Sequence, residues 1–313
     1  ALRSFEMSNV TATMVKDLRD KTGAGMMDCK AALGATEGDM EQAVDWLRKK
    51  GLAKAAKKSG RVAAEGLIGV AVDKQAGALV EVNAETDFVA RNETFKEFVT
   101  DAAKLGLKAD GDIEKLLKHP MANGASVDDS IKELVAKIGE NMSVRRVTVL
   151  TVDPGIVANY VHNASSPELG KIGVLVALKS SAPEDKLMAL GKQIAMHIAA
   201  AAPLALTPEH LSADVIARER AIHADQARQS GKPENVVEKM IEGRMRKFYE
   251  ESILLSQIFV IDGETPVGKV IEKASKDFGT PVEITGFVRY QVGEGIEKAD
   301  SDFADEVKAM AGH

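Results

Sequence analysis

One stretch of this sequence has residue types that ask for a chemical explanation: Glu85-Thr86-Asp87-Phe88-Val89-Ala90-Arg91. An acidic residue stands beside a large aromatic, with a small aliphatic next, between a strand pattern and a helix pattern. Loops in that position commonly carry function. The spacing leaves two readings open. In one, Asp87 caps the coming helix and Phe88 packs inward. In the other, Phe88 is a wedge for a pocket on a partner, and Asp87 turns negative charge toward something charged there. No segment competes as a centre of covalent chemistry. The motifs G-x-x-x-x-G-K-[ST], G-x-S-x-G and H-E-x-x-H are absent, as is G-x-G-x-x-G after a strand. Histidines 119, 162, 197, 210, 223 and 313 lack the close i, i+4 partner of a helical metal pair. Cys29 is the only cysteine, which excludes an internal disulfide or a multi-cysteine zinc site and fits a reducing compartment. It reads as a small apolar filler or, given a base, as a nucleophile. Missing motifs move the reading toward a binding protein, with no catalytic residue, metal or cofactor assigned.

Composition narrows the class. The 313 residues suggest two domains, or a body with attachments. A net charge of −6 speaks against a dedicated nucleic-acid binder, and 4% aromatics leave few platforms for stacked bases. Hydrophobic residues at 45% and charged residues at 28% are ordinary for a globular chain. The longest apolar runs, such as Ile194–Ala205, are too short or interrupted to span a bilayer.

The elements that must hold the loop follow from periodicity. Met7-Ser8-Asn9 looks like a natural start, so Ala1–Glu6 reads as a remnant ahead of it or as the end of a processed leader. Thr11–Gly51 reads as three short helices. Thr11 or Thr13 caps the first, the second runs from Met26 and stops near Gly34, and Asp39 caps the third. Leu52–Ala64 is rich in Ala and Lys; it is a linker or helix end, or a contact for an acidic surface. Leu67–Val72 and Ala78–Asn83 read as strands, followed by a helix over Asn92–Leu107. Ser130–Asn141 reads as a helix and Val144–Val152 as a strand. The order then recurs: strands at Ile156–His162 and Ile172–Lys179, and a helix at Glu184–Ala200. This suggests two related β-β-α halves. Pro208–Ser256 carries two helical patterns around Ser230-Gly231-Lys232-Pro233. Their seams are Leu211, Val215 and Ile222 against Val237, Ile241, Met245 and Phe248. The pair either projects as a hairpin or folds flat on the core. The tail reads as strand Ile258–Ile261, helix Val267–Phe278, strand Val282–Val292 and helix Ser301–Met310. The expected class is therefore α+β. A three-helix module with its linker takes residues 8–60. The core takes 61–153 and then 154–207 with 257–292. The hairpin takes 208–256, and a C-terminal module 293–313.

Several stretches, in order along almost the whole chain, resemble elongation factor Ts, the family of nucleotide exchange factors for elongation factor Tu. They are Val15–Lys30 (VKDLRDKTGAGMMDCK), Lys54–Ala64 (KAAKKSGRVAA), Glu81–Arg91 (EVNAETDFVAR), Val135–Arg146 (VAKIGENMSVRR), Ile194–Ala200 (IAMHIAA), Ser230–Lys247 (SGKPENVVEKMIEGRMRK) and Gly286–Lys298 (GFVRYQVGEGIEK). The resemblance implies a UBA-like N-terminal module and a partner, elongation factor Tu, in its GDP-bound and nucleotide-free states. It implies that Thr86, Asp87, Phe88 and Val89 enter that GTPase near its Mg²⁺, with Phe88 as wedge and Asp87 disturbing the ion's surroundings. It implies that Leu18, Arg19, Met26 and Met27 dock on a helix of the same GTPase domain, and that His162 faces another domain. For Met26 and Met27 the plain alternative is internal packing. The resemblance further implies action without covalent chemistry, in the cytoplasm, with a homodimer through the hairpin as an option. Asn163–Gly170 (NASSPELG) looks longer than the usual connection, and Tyr249–Gln257 more apolar. Two readings from other classes stand beside this one: a scaffold that does not act on nucleotide, and an enzyme using Asp87 with His162.

Overall fold

The computed structural model describes residues 10–297, so the start at Met7 and the helix expected at Ser301–Met310 fall outside the described residues. Three helices open the chain: α1 (Ala12–Thr22), α2 (Met26–Ala35) and α3 (Met40–Lys58). Thr11 caps α1 by accepting the Met14 N–H at 3.2 Å, and Asp39 caps α3 by accepting the Gln42 N–H at 2.9 Å. α2 stops near Gly34, as expected. The helix runs to Ala35, and the chain reverses through Glu37 and Gly38, both at positive φ. Val15, Leu18, Cys29, Ala32, Leu33 and Ala43 form the module's own small core. Leu18 is its fully buried pivot. Leu18→Ala is expected to cost the module about 3 kcal/mol, read as an early unfolding step in the fluorescence of Trp46, which packs on that core.

The Leu52–Ala64 run is helical as far as Lys58, because its alanines let α3 continue. Its cations turn inward. Lys54 meets Asp28 at 2.7 Å, beside Lys50 at 3.0 Å. Lys58 Nζ donates to the Gly139 carbonyl. Ala55 is buried in the main core, so α3 reaches from the module onto the body.

The body is four layers deep. β1 (Glu65–Asp73) and β2 (Ala76–Ala84) lead to α4 (Glu93–Lys108), then α5 (Ile113–Lys118), α6 (Val127–Ile138) and β3 (Met142–Thr151). β4 (Gly155–His162), β5 (Leu169–Gly170) and β6 (Ile172–Lys179) follow, then α7 (Glu184–Ala201). After α8 (Ala213–Arg228), α9 (Glu234–Ser252) and α10 (Val267–Phe278) comes β7 (Glu283–Gln291). One sheet has the order β3-β2-β1-β5 and the other β4-β6-β7, with antiparallel pairing throughout. Along β1 and β2, Leu67, Val80 and Val82 face the α4 side, while Ile68, Val70 and Leu79 face the second sheet. Along β6, Val174, Val176 and Leu178 pack with α7, and Leu175 and Ala177 face the first sheet. Strands buried on both faces lose polar alternation, hence the near-continuous apolar runs. Gly173 permits the close approach of the sheets, since a Cβ there would stand 2.6 Å from Ile68 Cγ2.

The repeat is longer than the two β-β-α units read from sequence. Each half adds a third strand, β3 or β7, beside its second strand, and helices intervene before it. The Ser130–Asn141 helix is shifted. Ser126 caps α6 by accepting the Asp129 N–H, and Gly139 at φ +94° ends it, so Glu140 and Asn141 lie in a turn. Ile258–Ile261 is not a strand. Only Phe259 enters the core, while Ile258, Val260 and Ile261 stay exposed and Ile258 makes an isolated bridge to Pro266. The helices α8 and α9 pack on each other through Ala227, Val237, Ile241 and Met245, with Ile216 in the seam and Ile222 outside it. Leu211 and Val215 join Ile253 at the base of the pair.

His197 on α7 is fully buried. Its Nδ1 accepts the Val260 N–H at 3.2 Å and its Nε2 lies 2.9 Å from Gln257 Oε1. Nδ1 is therefore the acceptor, and Nε2 carries the proton of a neutral ring. Burial lowers its pKa, against the Gln257 bond.

Candidate functional site

β2 ends at Ala84 and α4 begins at Glu93, so eight residues make the connection. Both of its ends are fixed. At the front, the Glu140 carboxylate accepts the Thr86 N–H at 3.0 Å and the Thr86 hydroxyl at 2.8 Å. At the back, Asn92 caps α4 by accepting the Phe95 N–H at 3.2 Å. Between them a 3₁₀ turn, Val89–Arg91, buries Val89 and Ala90 in the first core. Asp87 and Phe88 form the tip. Asp87 does not cap the helix; Asn92 does. Phe88 does not pack inward; it is 73% exposed. The inward reading of this loop is thereby overturned. An exposed phenylalanine forgoes about 2 kcal/mol of burial, so its anchoring on a fixed loop marks a place where something else can cover it.

The tip is lightly charged and reversible. Asp87 Oδ2 meets Arg91 Nη2 at 2.9 Å, both well exposed, and the Arg91 guanidinium lies 5.9 Å from the Phe88 ring centre. A surface pair of this kind is worth about 0–1 kcal/mol, so Asp87 can exchange Arg91 for another cation at little cost.

The other sequence-marked residues fall on two surfaces. Arg19, Met26 and Met27 lie exposed around the α1–α2 junction, at 59% for Met26 and 76% for Met27. Internal packing of either methionine is thus excluded. Leu18 is the exception: it lies inside the module at 0% and offers no contact face, because it holds α1 against α2 and α3. His162 ends the edge strand β4, exposed, with Nδ1 3.2 Å from the Tyr160 hydroxyl. Asp87 pairs with Arg91 and His162 with Tyr160, so the two share no partner. Cys29 is buried, its thiol donating weakly to the Ala24 carbonyl at 3.7 Å, and burial raises its pKa. That fits the filler and not a nucleophile. Among the described residues no three His, Cys, Asp or Glu side chains converge as metal ligands, and no helix is long and apolar enough to cross a membrane.

Sequence reasoning missed Glu81. It is fully buried on β2, the strand that leads into the tip loop, and meets Arg145 at 3.1 Å and Arg146 at 2.6 Å. It also missed Glu140. Both lie within stretches already singled out, EVNAETDFVAR and VAKIGENMSVRR, but a bare sequence does not show which acidic residues turn inward.

Comparison with known proteins identifies the family. The family model described as elongation factor TS matches residues 85–294, which begins at the tip loop. Proteins named elongation factor Ts from Rhodospirillum centenum, Rhodospirillum rubrum and Sphingopyxis alaskensis are 61%, 59% and 58% identical to this chain. The alignments cover 98%, 97% and 98% of it, and 100%, 99% and 100% of those proteins. The chain belongs to the elongation factor Ts family.

Proposed function

We propose that this protein is a guanine-nucleotide exchange factor that binds elongation factor Tu carrying GDP and speeds GDP release. The observation that carries the reading is Phe88, an exposed aromatic on a loop anchored at both ends. Phe88 enters a gap in the GTPase, and Asp87 brings a carboxylate toward the surroundings of its Mg²⁺. That ion offsets phosphate charge, so disturbing it weakens the hold on nucleotide. Thr86 and Val89 fix the loop on which the two ride. Arg19, Met26 and Met27 form a second contact, where unbranched methionines adapt to an irregular surface. His162 forms a third, and Leu18 supports the second from within. The outer faces of α8 and α9 are the place for a homodimer. On this reading the protein works in the cytoplasm, without cofactor or covalent step.

Linkage sets the physics. If the protein weakens GDP binding by some factor, GDP weakens the protein's binding by the same factor. Stopped-flow release of labelled GDP from elongation factor Tu tests this. Acceleration by the protein, together with dissociation of the complex on adding excess GDP, is the expected result. Co-elution that is indifferent to GDP would instead indicate a scaffold.

A further inference from the structure

The turn Gly139-Glu140-Asn141 supplies the front anchor of the tip loop and sits where three elements meet. The Glu140 carboxylate accepts both donors of Thr86, N–H at 3.0 Å and hydroxyl at 2.8 Å. Next along the turn, the Asn141 N–H donates to the Glu85 carboxylate. The Asn141 side-chain amide donates to the Arg61 carbonyl at 2.7 Å and more weakly to that of Ser59 at 3.5 Å. The Gly139 carbonyl accepts Lys58 Nζ, and Arg61 stands 3.5 Å from Glu85. One turn therefore grips the tip loop through Glu140 and the Asn141 N–H, and the end of α3 with the connector leaving it through Gly139 and the Asn141 side chain.

We infer that Glu140 is a positioning residue for exchange, holding Thr86 in both its donors so that Phe88, two residues on, is presented outward in one conformation. This rests on the exchange reading for its effect on rate, but not for its effect on the loop. Two donors of Thr86 converge on two carboxylate oxygens. An amide in the same place keeps both contacts, its oxygen accepting the N–H and its N–H₂ donating to the hydroxyl, so the clamp is removed by truncating Glu140 and not by its amide. Without the clamp the loop is held at Glu85 by the Asn141 N–H and at Val89 and Ala90 by burial, while Thr86 between them loses both of its bonds. The docking competence of the tip then falls by the fraction of time it is misplaced.

Two measurements on the full chain test this. The first is hydrogen exchange at the Thr86 amide in the free protein. It is expected to be protected, and to exchange about tenfold faster or more in Glu140→Ala, as befits loss of a bond to a charged acceptor. Equal rates overturn the proposal. The second is the acceleration of GDP release from elongation factor Tu by Glu140→Ala, Thr86→Val and the double variant. Glu140→Ala is expected to lower it about tenfold, Thr86→Val to lower it less because the Thr86 N–H bond remains, and the double to match Glu140→Ala, since both changes act on one clamp. A double variant worse than Glu140→Ala by the full Thr86→Val factor, or a Glu140→Ala variant without effect, overturns the proposal. If the unaltered protein fails to release GDP, the exchange reading falls, while amide protection still decides whether Glu140 holds the loop.

Discussion

Replacing Phe88 with alanine is expected to slow the stimulated release of GDP about 30-fold, with almost no change in stability. The two halves of that expectation come from one number, the 73% exposure of the side chain. A residue that buries little in its own protein loses little on truncation, within about 0.5 kcal/mol. A lone aromatic that fills a partner's pocket behaves as an interface anchor, for which truncation costs about 2 kcal/mol or more. At about 1.4 kcal/mol per tenfold, that is the 30-fold stated. Asp87→Asn is expected to act more weakly, since its present pair with Arg91 is a surface one. Stopped-flow traces over a range of protein concentration, with a urea curve for each variant, give both quantities. A Phe88→Ala protein as active as its parent would remove the wedge from the account.

Glu81→Ala is expected to do the reverse, damaging the fold first. Glu81 is fully buried and accepts from Gly293 N–H at 2.8 Å, Asn83 Nδ2 at 2.9 Å, Arg145 Nη1 at 3.1 Å and Arg146 Nε at 2.6 Å. Removing one member of a buried charge network costs about 3–5 kcal/mol. The two arginines are partly exposed and can turn to water, which puts the expectation near the lower end, about 3 kcal/mol, in guanidinium denaturation at pH 7. The acid limb gives a second signature. Burial pushes the Glu81 carboxyl up, but the donors from Gly293, Asn83 and Arg146 outweigh it and hold the pKa below its ordinary 4.5. The unfolded chain then binds the proton first as pH falls, so the contribution is complete above the ordinary value and drains away below it. In Glu81→Ala that part of the acid sensitivity is expected to vanish. A variant equally stable at pH 7, with an unchanged acid limb, would mean the network is not structural.

The sequence made some of this visible and hid the rest for physical reasons. Helices with a strong cap or a regular apolar face were readable, as at Asp39 with α3 and along Phe95, Phe98, Val99 and Ala102 of α4, whose cap was sought at Asp87 and lies at Asn92. So were the paired strands of each half. The third strand of each half was seen but not placed, because its pairing with β2 or β6 crosses long intervening segments. The six residues of α5 were missed because so short a segment shows no period. Ile258–Ile261 misled because four apolar residues look the same whether one or all of them find a core. At the site, residue type was legible but direction was not. Phe88, Met26 and Leu18 are equally apolar in sequence, yet only Leu18 goes inside. Glu140 was invisible because its partner lies 54 residues away.

The two-residue strand β5 lies in the Asn163–Gly170 connection, the segment noted for its length, and it docks on Ile68 and Gly69 at the rim of β1. That rim carries Leu67, Ile68 and Val70, and an uncovered apolar margin of this kind invites foreign strands. During synthesis it stays bare until residue 170 has left the ribosome, after β1, β2 and β3 have emerged. A translation factor of this build has its own first sheet sealed only by a flap made later, so a pause in its synthesis between residues 151 and 169 releases the species most prone to clump.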